Sequence, residues 1–244
     1  MAYVHISLAE DSRTNFYMLL RVIHLLTGIT WIGLLYFFNF VSFPLLKDLD
    51  PPTRAKVMPP LMLRALWLFR WSALITVLSG LAYWGSILST AAQTVGASSG
   101  TALGTFFLIW TSAWAILYAL LLPGKGVLDK GPVLGILVAI VVTAASYLFL
   151  RFNGHGWEGN RILAIGIGGG MGWVMLLNVW GIVWRIQKRL IAWTKANAEN
   201  GTPIPEQSKR MARMSFLTAR ISAFLSIPLL FFMAVATHYP MFSG

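Results

Sequence analysis

The sequence contains no cysteine, and this absence removes several kinds of chemistry. Without thiols, the chain can form neither disulfides nor thiolate metal sites nor iron–sulfur clusters. A covalently attached c-type haem is excluded as well, because its CxxCH motif needs two cysteines. Any metal or redox chemistry must therefore use imidazole or other nitrogen and oxygen ligands.

Acidic residues are absent from the most apolar parts of the chain. Only 11% of the residues are charged, against about a quarter in soluble proteins. Six stretches are apolar and long enough to cross a hydrocarbon layer of about 30 Å. They lie at about 16–44, 63–89, 102–123, 131–151, 161–185 and 215–240, and none contains Asp or Glu. We predict an all-α integral membrane protein, with a polar segment at 1–15 and one bundle of about six transmembrane helices at 16–244. Proton relays built from carboxylates are disfavoured.

The net charge of +11 is distributed unevenly between the two sides of the predicted bundle. Thirteen basic residues fall on one side: Lys47, Arg54, Lys56, Arg64, Lys125, Lys130, Arg185, Lys188, Arg189, Lys195, Lys209, Arg210 and Arg213. The other side has Arg13, Arg151 and Arg161. The positive-inside rule then predicts that both termini are periplasmic in a bacterial inner membrane. The pattern is typical of orientation and anionic-lipid contact rather than nucleic-acid binding.

The first span carries the densest set of polar and aromatic groups. At about 100° per residue, Arg21, His24, Gly28, Trp31 and Asn39 fall within about 80° of one another. Polar groups that face lipid are energetically costly, so we expect this face of the helix to point into the bundle. In a functional interpretation, His24 ligates a haem iron or bonds a buried ligand, and Gly28 makes room for it. In the alternative, His24 makes an interhelical hydrogen bond, and Arg21 extends its charge to the membrane surface.

The last span holds a second candidate imidazole. Arg220 and His238 are five turns apart on one face, about 27 Å along the helix axis, and Pro228 between them predicts a kink. We expect His238 near the outer interface, with His24 about 10 Å deeper on the same side. A ligand shared by the two histidines requires tilted or staggered helices. Otherwise His238 is a surface histidine.

Four polar residues fall in the cytoplasmic halves of their spans: Arg70, Arg220, Asn39 and Asn178. Two guanidiniums and two amides at comparable depth could bind a haem propionate, a quinone carbonyl or a lipid phosphate. Without a carboxylate partner, each arginine costs about 2.5–3.5 kcal/mol at the bilayer centre. In the alternative, the arginines extend to the surface and the amides bond helix carbonyls.

A glycine-rich run at residues 166–172 (GIGGGMG) looks like a dinucleotide-binding loop, but its context argues against this. It lies inside an apolar span with no preceding strand. The pairs Gly166–Gly170 and Gly168–Gly172 have the spacing of close helix contacts. We therefore predict a packing role.

Motifs in four spans resemble the membrane domain of the PuuD-type membrane-bound urate oxidases. They are residues 24–40 (HLLTGITWIGLLYFFNF), 68–80 (LFRWSALITVLSG), 168–180 (GGGMGWVMLLNVW) and 227–240 (IPLLFFMAVATHYP). The resemblance implies a membrane module that precedes a periplasmic cytochrome c in full-length members. By this resemblance, His24, Trp31, Arg70, Asn178 and His238 look like members of the family's motifs.

Three positions depart from the pattern that the resemblance implies. Gly166 and Ile221 stand where histidines are expected, and Ser72 stands where an acidic residue is expected. Two of four candidate imidazoles are thus missing, as is the carboxylate that could take a proton from a substrate. We therefore assign no catalytic residue and do not predict urate oxidation.

Two hypotheses follow. The first is an accessory subunit that packs in a larger redox or energy-converting membrane complex, with other membrane subunits and lipids as partners. The alternative is a haem b electron-transfer or oxidase subunit that uses a separate cytochrome c. The candidate cofactor-binding residues are His24, His238, Arg21, Trp31, Arg70, Asn178 and Arg220. Of these, His24 and His238 are the candidate metal ligands.

Overall fold

The computed structural model describes residues 8–122 and 131–242, and long helices dominate this part of the chain. The six long helices are α1 (Ser12–Asp48), α2 (Pro51–Thr94), α3 (Ser99–Leu121), α4 (Gly131–Asn153), α5 (Asn160–Asn200) and α6 (Gln207–His238). Each is long and apolar enough to cross a membrane, and the described residues contain no strand. The predicted all-α fold with six apolar spans is confirmed. Residues 1–7 of the predicted polar segment lie outside the described residues, as do Lys125 and Lys130.

Aspartates begin the first two helices. Asp11 accepts hydrogen bonds from the amides of Arg13 and Thr14, and Asp50 accepts one from the amide of Thr53. Such caps satisfy amides that have no partner within the helix. The bond from the Arg13 amide, with that from the Thr14 hydroxyl, holds the pKa of the Asp11 carboxyl below its ordinary value. These caps explain why α1 and α2 begin before the apolar stretches do.

Helix α5 forms the centre of the bundle. In its most apolar window, 78% of the residues are buried inside the protein, whereas the corresponding share in the other helices is between 17% and 44%. It packs against α2, α3, α4 and α6, while α1 packs mainly along α2. The residues of α1 are therefore more peripheral, and its inward face meets α2 first.

The glycine-rich run lets three helices approach α5 closely. A Cβ added at Gly166 or at Gly170 would fall within the ring of Phe149 or of Trp110, respectively. At Gly168, an added Cβ would lie 3.2 Å from the carbonyl oxygen of Leu229 on α6. The predicted packing role of this run is confirmed, because only hydrogen fits at Gly166 and Gly170 and the contact at Gly168 is tight.

Two segments of π-helix interrupt the spans, and each contains a buried asparagine. Residues Phe37–Ser42 widen α1 around Asn39, and Asn178–Val183 widen α5 from its first residue, Asn178. Asn39 and Asn178 are 2% and 4% exposed. Single wide turns of this kind are often found at functional or strained positions. Here they place both amides toward neighbouring helices.

Candidate functional site

The side chain of His24 lies between α1 and α2. Its Nδ1 is 2.8 Å from the carbonyl oxygen of Thr76, one turn before Gly80 on α2. A Cβ at Gly80 would lie 2.9 Å from Cε1 of the His24 ring, so the missing side chain provides the space that the ring occupies. The ring is half-buried, as expected for a side chain that faces a neighbouring helix.

The contact with Thr76 fixes how the His24 ring is protonated. A carbonyl oxygen can only accept, so Nδ1 must carry a hydrogen and donate it. Nε2 has no hydrogen-bond partner in the described part of the chain. This is the arrangement of many metal-ligating histidines, in which one ring nitrogen donates to a carbonyl and the other is the ligand atom. The same hydrogen bond joins α1 to α2 whether or not a metal is bound.

Hydroxyl groups extend this contact along the same pair of helices. Thr76 Oγ1 lies 2.8 Å from Thr27 Oγ1, and Thr27 donates to the carbonyl of Ile23 at 2.7 Å. Gly28 lies opposite the methyl group of Thr76, where an added Cβ would come within 3.6 Å. The small residue predicted to make room for a ligand thus accommodates α2.

Arg21 turns away from His24 toward the end of the bundle at which α1 begins. Its Nη2 donates to the hydroxyl oxygen of Tyr83 at 2.7 Å, and its Cζ lies 4.9 Å from the centre of the same ring. A second guanidinium, that of Arg161 on α5, has its Cζ 5.2 Å from the Tyr83 ring centre. The pairing of two cations with one buried tyrosine was not predicted, since nothing in the sequence aligns α5 with α2 at this level.

The two remaining candidates, Trp31 and His238, lie in different environments. Trp31 is 3% exposed, and its Nε1 has no hydrogen-bond partner among the described residues. His238 ends α6 and is exposed. His24 is hydrogen-bonded to Thr76 on α2. His238 makes no hydrogen bond within the described ranges, so no bond links the two histidines. The described residues also contain no group of three or more His, Cys, Asp or Glu side chains that could hold a metal ion.

Arg70 lies within a cluster of tryptophans. Its Cζ is 4.0 Å from the ring centre of Trp184, and 5.4 and 5.5 Å from those of Trp71 and Trp180. Trp180 Nε1 also donates to the backbone carbonyl of Arg70 at 3.1 Å. Aromatic faces attract a cation most strongly where water is scarce. The aromatic rings thus stabilise a guanidinium that has no carboxylate partner among the described residues, and they connect α2 with α5.

The amide of Asn178 connects three helices. Its Oδ1 accepts from Trp114 Nε1 at 3.2 Å, and its Nδ2 donates to Ser222 Oγ at 3.1 Å. The bonds run from α5 to α3 and to α6. Both ends of this buried side chain are therefore engaged by protein.

Arg220 and Asn39 both lie where α6 packs against α1. The Cζ of Arg220 lies 5.1 and 5.5 Å from the rings of Phe216 and Phe40. Asn39 Nδ2 donates to the carbonyl of Leu35 at 2.8 Å, while its Oδ1 is buried without a partner in the described residues. The four polar residues predicted at similar depth thus separate into three groups: Arg70 among tryptophans, Asn178 bonded to two helices, and Arg220 and Asn39 at separate contacts between α6 and α1.

At the three positions that depart from the urate oxidase pattern, the residues pack against other parts of the bundle or bond the helix backbone. Ser72 is 7% exposed and donates to the carbonyl of Phe69 at 3.1 Å. Ile221 is also buried, and Gly166 borders the ring of Phe149. No acidic side chain pairs with His24 within the described ranges, where the ion pairs are His155–Glu158 and Lys195–Glu199.

Comparison with known proteins identifies a family. No curated protein and no solved structure matches the chain. A family model described as "Urate oxidase N-terminal" matches residues 49–244, a range that includes Arg70, Asn178 and His238 and begins after α1. Because this match spans most of the chain, the protein belongs to the urate oxidase N-terminal family.

Proposed function

We propose that this membrane module serves as an accessory subunit within a larger redox or energy-converting membrane complex. The observation that supports this most directly is that two of the candidate polar side chains inside the spans, His24 and Asn178, are engaged by neighbouring helices. His24 bonds Thr76, and Asn178 bonds Ser222, each across a helix interface. Side chains used in this way stabilise a bundle and do not need a substrate to satisfy them.

The environment of the spans also favours a packing role over acid–base catalysis. General acid–base chemistry needs a side chain that can exchange a proton with the reacting group. At the position where the family resemblance implies an acid, Ser72 bonds its own helix backbone. The glycines at 166 and 170 receive aromatic rings from α4 and α3. Ser72 and Gly166, which stand where the resemblance implies an acid and a histidine, therefore take part in backbone bonding and packing.

Exposed apolar side chains give the subunit surfaces that suit lipid or other membrane helices. On α1 they include Leu25, Leu26 and Ile29, and on α6 Ile227 and Phe231. In a bilayer, such faces gain little from the hydrophobic effect, so association depends on packing and on hydrogen bonds. A partner subunit would therefore have to complement their shape.

Purification from native membranes in mild detergent tests the proposal. The tagged full-length chain is extracted, and the accompanying chains are identified by mass spectrometry against an unrelated tagged six-span protein. We expect the same partner chains at a constant ratio to this subunit. Recovery as a lone chain under these conditions would overturn the proposal.

Haem b binding at His24 is the second candidate, and one observation favours it. The Nδ1 hydrogen bond to Thr76 leaves Nε2 as the nitrogen able to ligate iron. Bound haem would supply one-electron transfer, with a separate cytochrome c as partner. In this arrangement, His24 would hold the iron from α1, and His238 would be the second ligand.

Absorbance distinguishes the second candidate. Reduced-minus-oxidised spectra are recorded on the purified chain, on His24→Ala, and on His155→Ala as a matched control. His155 is paired with Glu158 outside the spans. Haem binding predicts Soret and α-bands that disappear only in His24→Ala. Absence of these bands in the unaltered chain would exclude this candidate.

For orientation, we infer that both termini face the periplasm of a bacterial inner membrane. The support is the excess of basic residues on one side of the bundle, as the positive-inside rule requires. Reporter fusions at the C-terminus test this inference. Alkaline phosphatase should be active there, and a cytoplasm-dependent fluorescent protein should be dark. The opposite pair of results would reverse the orientation.

A further inference from the structure

A groove of about 670 Å³ lies between α1 and α2, on the side of the bundle that carries most of the basic residues. Its walls are apolar and include Leu34 and Phe37 from α1 and Leu61 and Leu68 from α2. The volume is within the range of small-molecule sites, about 300–1,000 Å³. The groove is thus large enough to receive part of a ligand, although it is open along its length.

Two cations line the same groove. Lys56 and Arg64 both belong to α2, are exposed, and have no ion pair or hydrogen bond among the residues that the structure describes. They are eight residues apart, which is about 12 Å along a helix and about 80° around it. Their long side chains can therefore turn toward a common point at the membrane surface while their stems lie on apolar neighbours.

The apolar part of the groove extends from these cations into the membrane. Leu68 lies four residues beyond Arg64, about 6 Å along an α-helix, and eight residues beyond the midpoint between the two cations, about 12 Å. Half of a hydrocarbon core measures about 15 Å. The groove thus combines a cationic end with a shorter apolar section, along which the first part of one acyl chain can lie within one leaflet.

We propose that this groove binds an anionic phospholipid. Its phosphate lies between Lys56 and Arg64, and one acyl chain follows Leu34, Phe37 and Leu68. Two cations without acidic partners attract an anionic headgroup, whereas a zwitterionic headgroup brings its own positive charge. The proposal concerns a surface away from His24 and does not depend on the role of the chain in a complex.

Native mass spectrometry of the full chain tests the site. The delipidated protein is titrated with phosphatidylglycerol or phosphatidylcholine, for the unaltered chain and for the double variant Lys56→Gln/Arg64→Gln. The matched control is Arg185→Gln/Lys188→Gln, which removes the same charge from exposed positions on α5. We expect the groove variant to bind phosphatidylglycerol about tenfold more weakly and the control to bind it unchanged. Equal loss in both variants would indicate general surface attraction and overturn the proposal.

A second variant tests the apolar half of the groove. Leu68→Trp retains both cations but adds bulk where the acyl chain is expected. It should also weaken phosphatidylglycerol binding, and inorganic phosphate alone should not displace the lipid. Unchanged binding in Leu68→Trp, or displacement by phosphate, would mean that only the headgroup is bound and would contradict the proposed lipid site. Equal affinity of the unaltered chain for both lipids would also overturn it.

Discussion

His24 Nδ1 lies 2.8 Å from the carbonyl oxygen of Thr76, so the imidazole of α1 is bonded to the backbone of α2. Because a carbonyl accepts and cannot donate, this contact sets the protonation of Nδ1 and orients the ring. The ring fits since Gly80 has no side chain. The position of His24 in the first span thus depends on a glycine in the second span, Gly80.

Substitution of Gly80 tests this relationship. In Gly80→Ala, the new Cβ would lie 2.9 Å from Cε1 and 3.0 Å from Nδ1 of His24, so the ring must move away from Thr76. We expect a loss of about 1–3 kcal/mol in the free energy of unfolding, the usual cost of overpacking. Thermal or denaturant unfolding in detergent micelles measures it. Gly85→Ala is the control, because no atom lies within 4 Å of its added Cβ. Equal stability of the two variants would argue against the ring position.

A second glycine pair tests the packing at the centre of the bundle. In Gly170→Ala, the added methyl would fall within the ring of Trp110, which is fully buried and cannot yield easily. We expect a loss of about 1–3 kcal/mol or more. Gly169→Ala, with nothing near its added Cβ, should be neutral or slightly stabilising, because alanine favours helix over glycine. Near-native stability of Gly170→Ala would contradict the close approach of α3 to α5.

The bridge at Asn178 can be measured by a double-mutant cycle. Asn178→Ala and Ser222→Ala each remove one partner of the 3.1 Å hydrogen bond between α5 and α6. Hydrogen bonds of this kind in membranes couple by about 0.6 kcal/mol on average. Unfolding of the two single variants and the double variant gives the coupling energy. A coupling of zero would show that this bond contributes nothing to the packing of α5 on α6.

The tryptophans around Arg70 make it a stabilising cation. Arg70→Gln should lower the free energy of unfolding by about 1–2 kcal/mol, because a desolvated cation–π contact is lost. Arg70→Lys should retain part of this stabilisation, since the charge remains but the guanidinium that lies over the Trp184 ring does not. Tryptophan fluorescence during unfolding reports both stability and environment. Arg185→Gln, at an exposed position on the same helix as Trp184, should change stability by no more than about 0.5 kcal/mol. A larger effect at Arg185 than at Arg70 would contradict this assignment.

The overall fold could be predicted because membrane spans have a strong composition signal. Six apolar runs without Asp or Glu became six helices, and the glycine spacing predicted the close contacts of α5. The ends were harder to predict. Polar caps such as Asp11 and Asp50 begin the helices outside the apolar runs, where hydropathy gives no information.

The site could be predicted only in part. Helical periodicity placed His24 on an inward face, but its partner is a backbone carbonyl, and every residue carries one. Arg21 lies on the same face of α1 but bonds Tyr83. Which residue of α2 it meets depends on how far α1 and α2 are shifted along each other, and the sequence does not give this shift. Similarly, the contact of Arg70 with Trp184 depends on which helix α2 meets, and sequence spacing within one span does not contain that information.

The most direct test of the packing role is the reduced-minus-oxidised spectrum of the complex purified from native membranes, recorded with unaltered His24 and with His24→Ala. If His24 serves helix packing, the two spectra should agree and the variant should differ only by lower thermal stability. Loss of a b-type band in His24→Ala, with the same partner chains present, would contradict this account and assign the residue to haem.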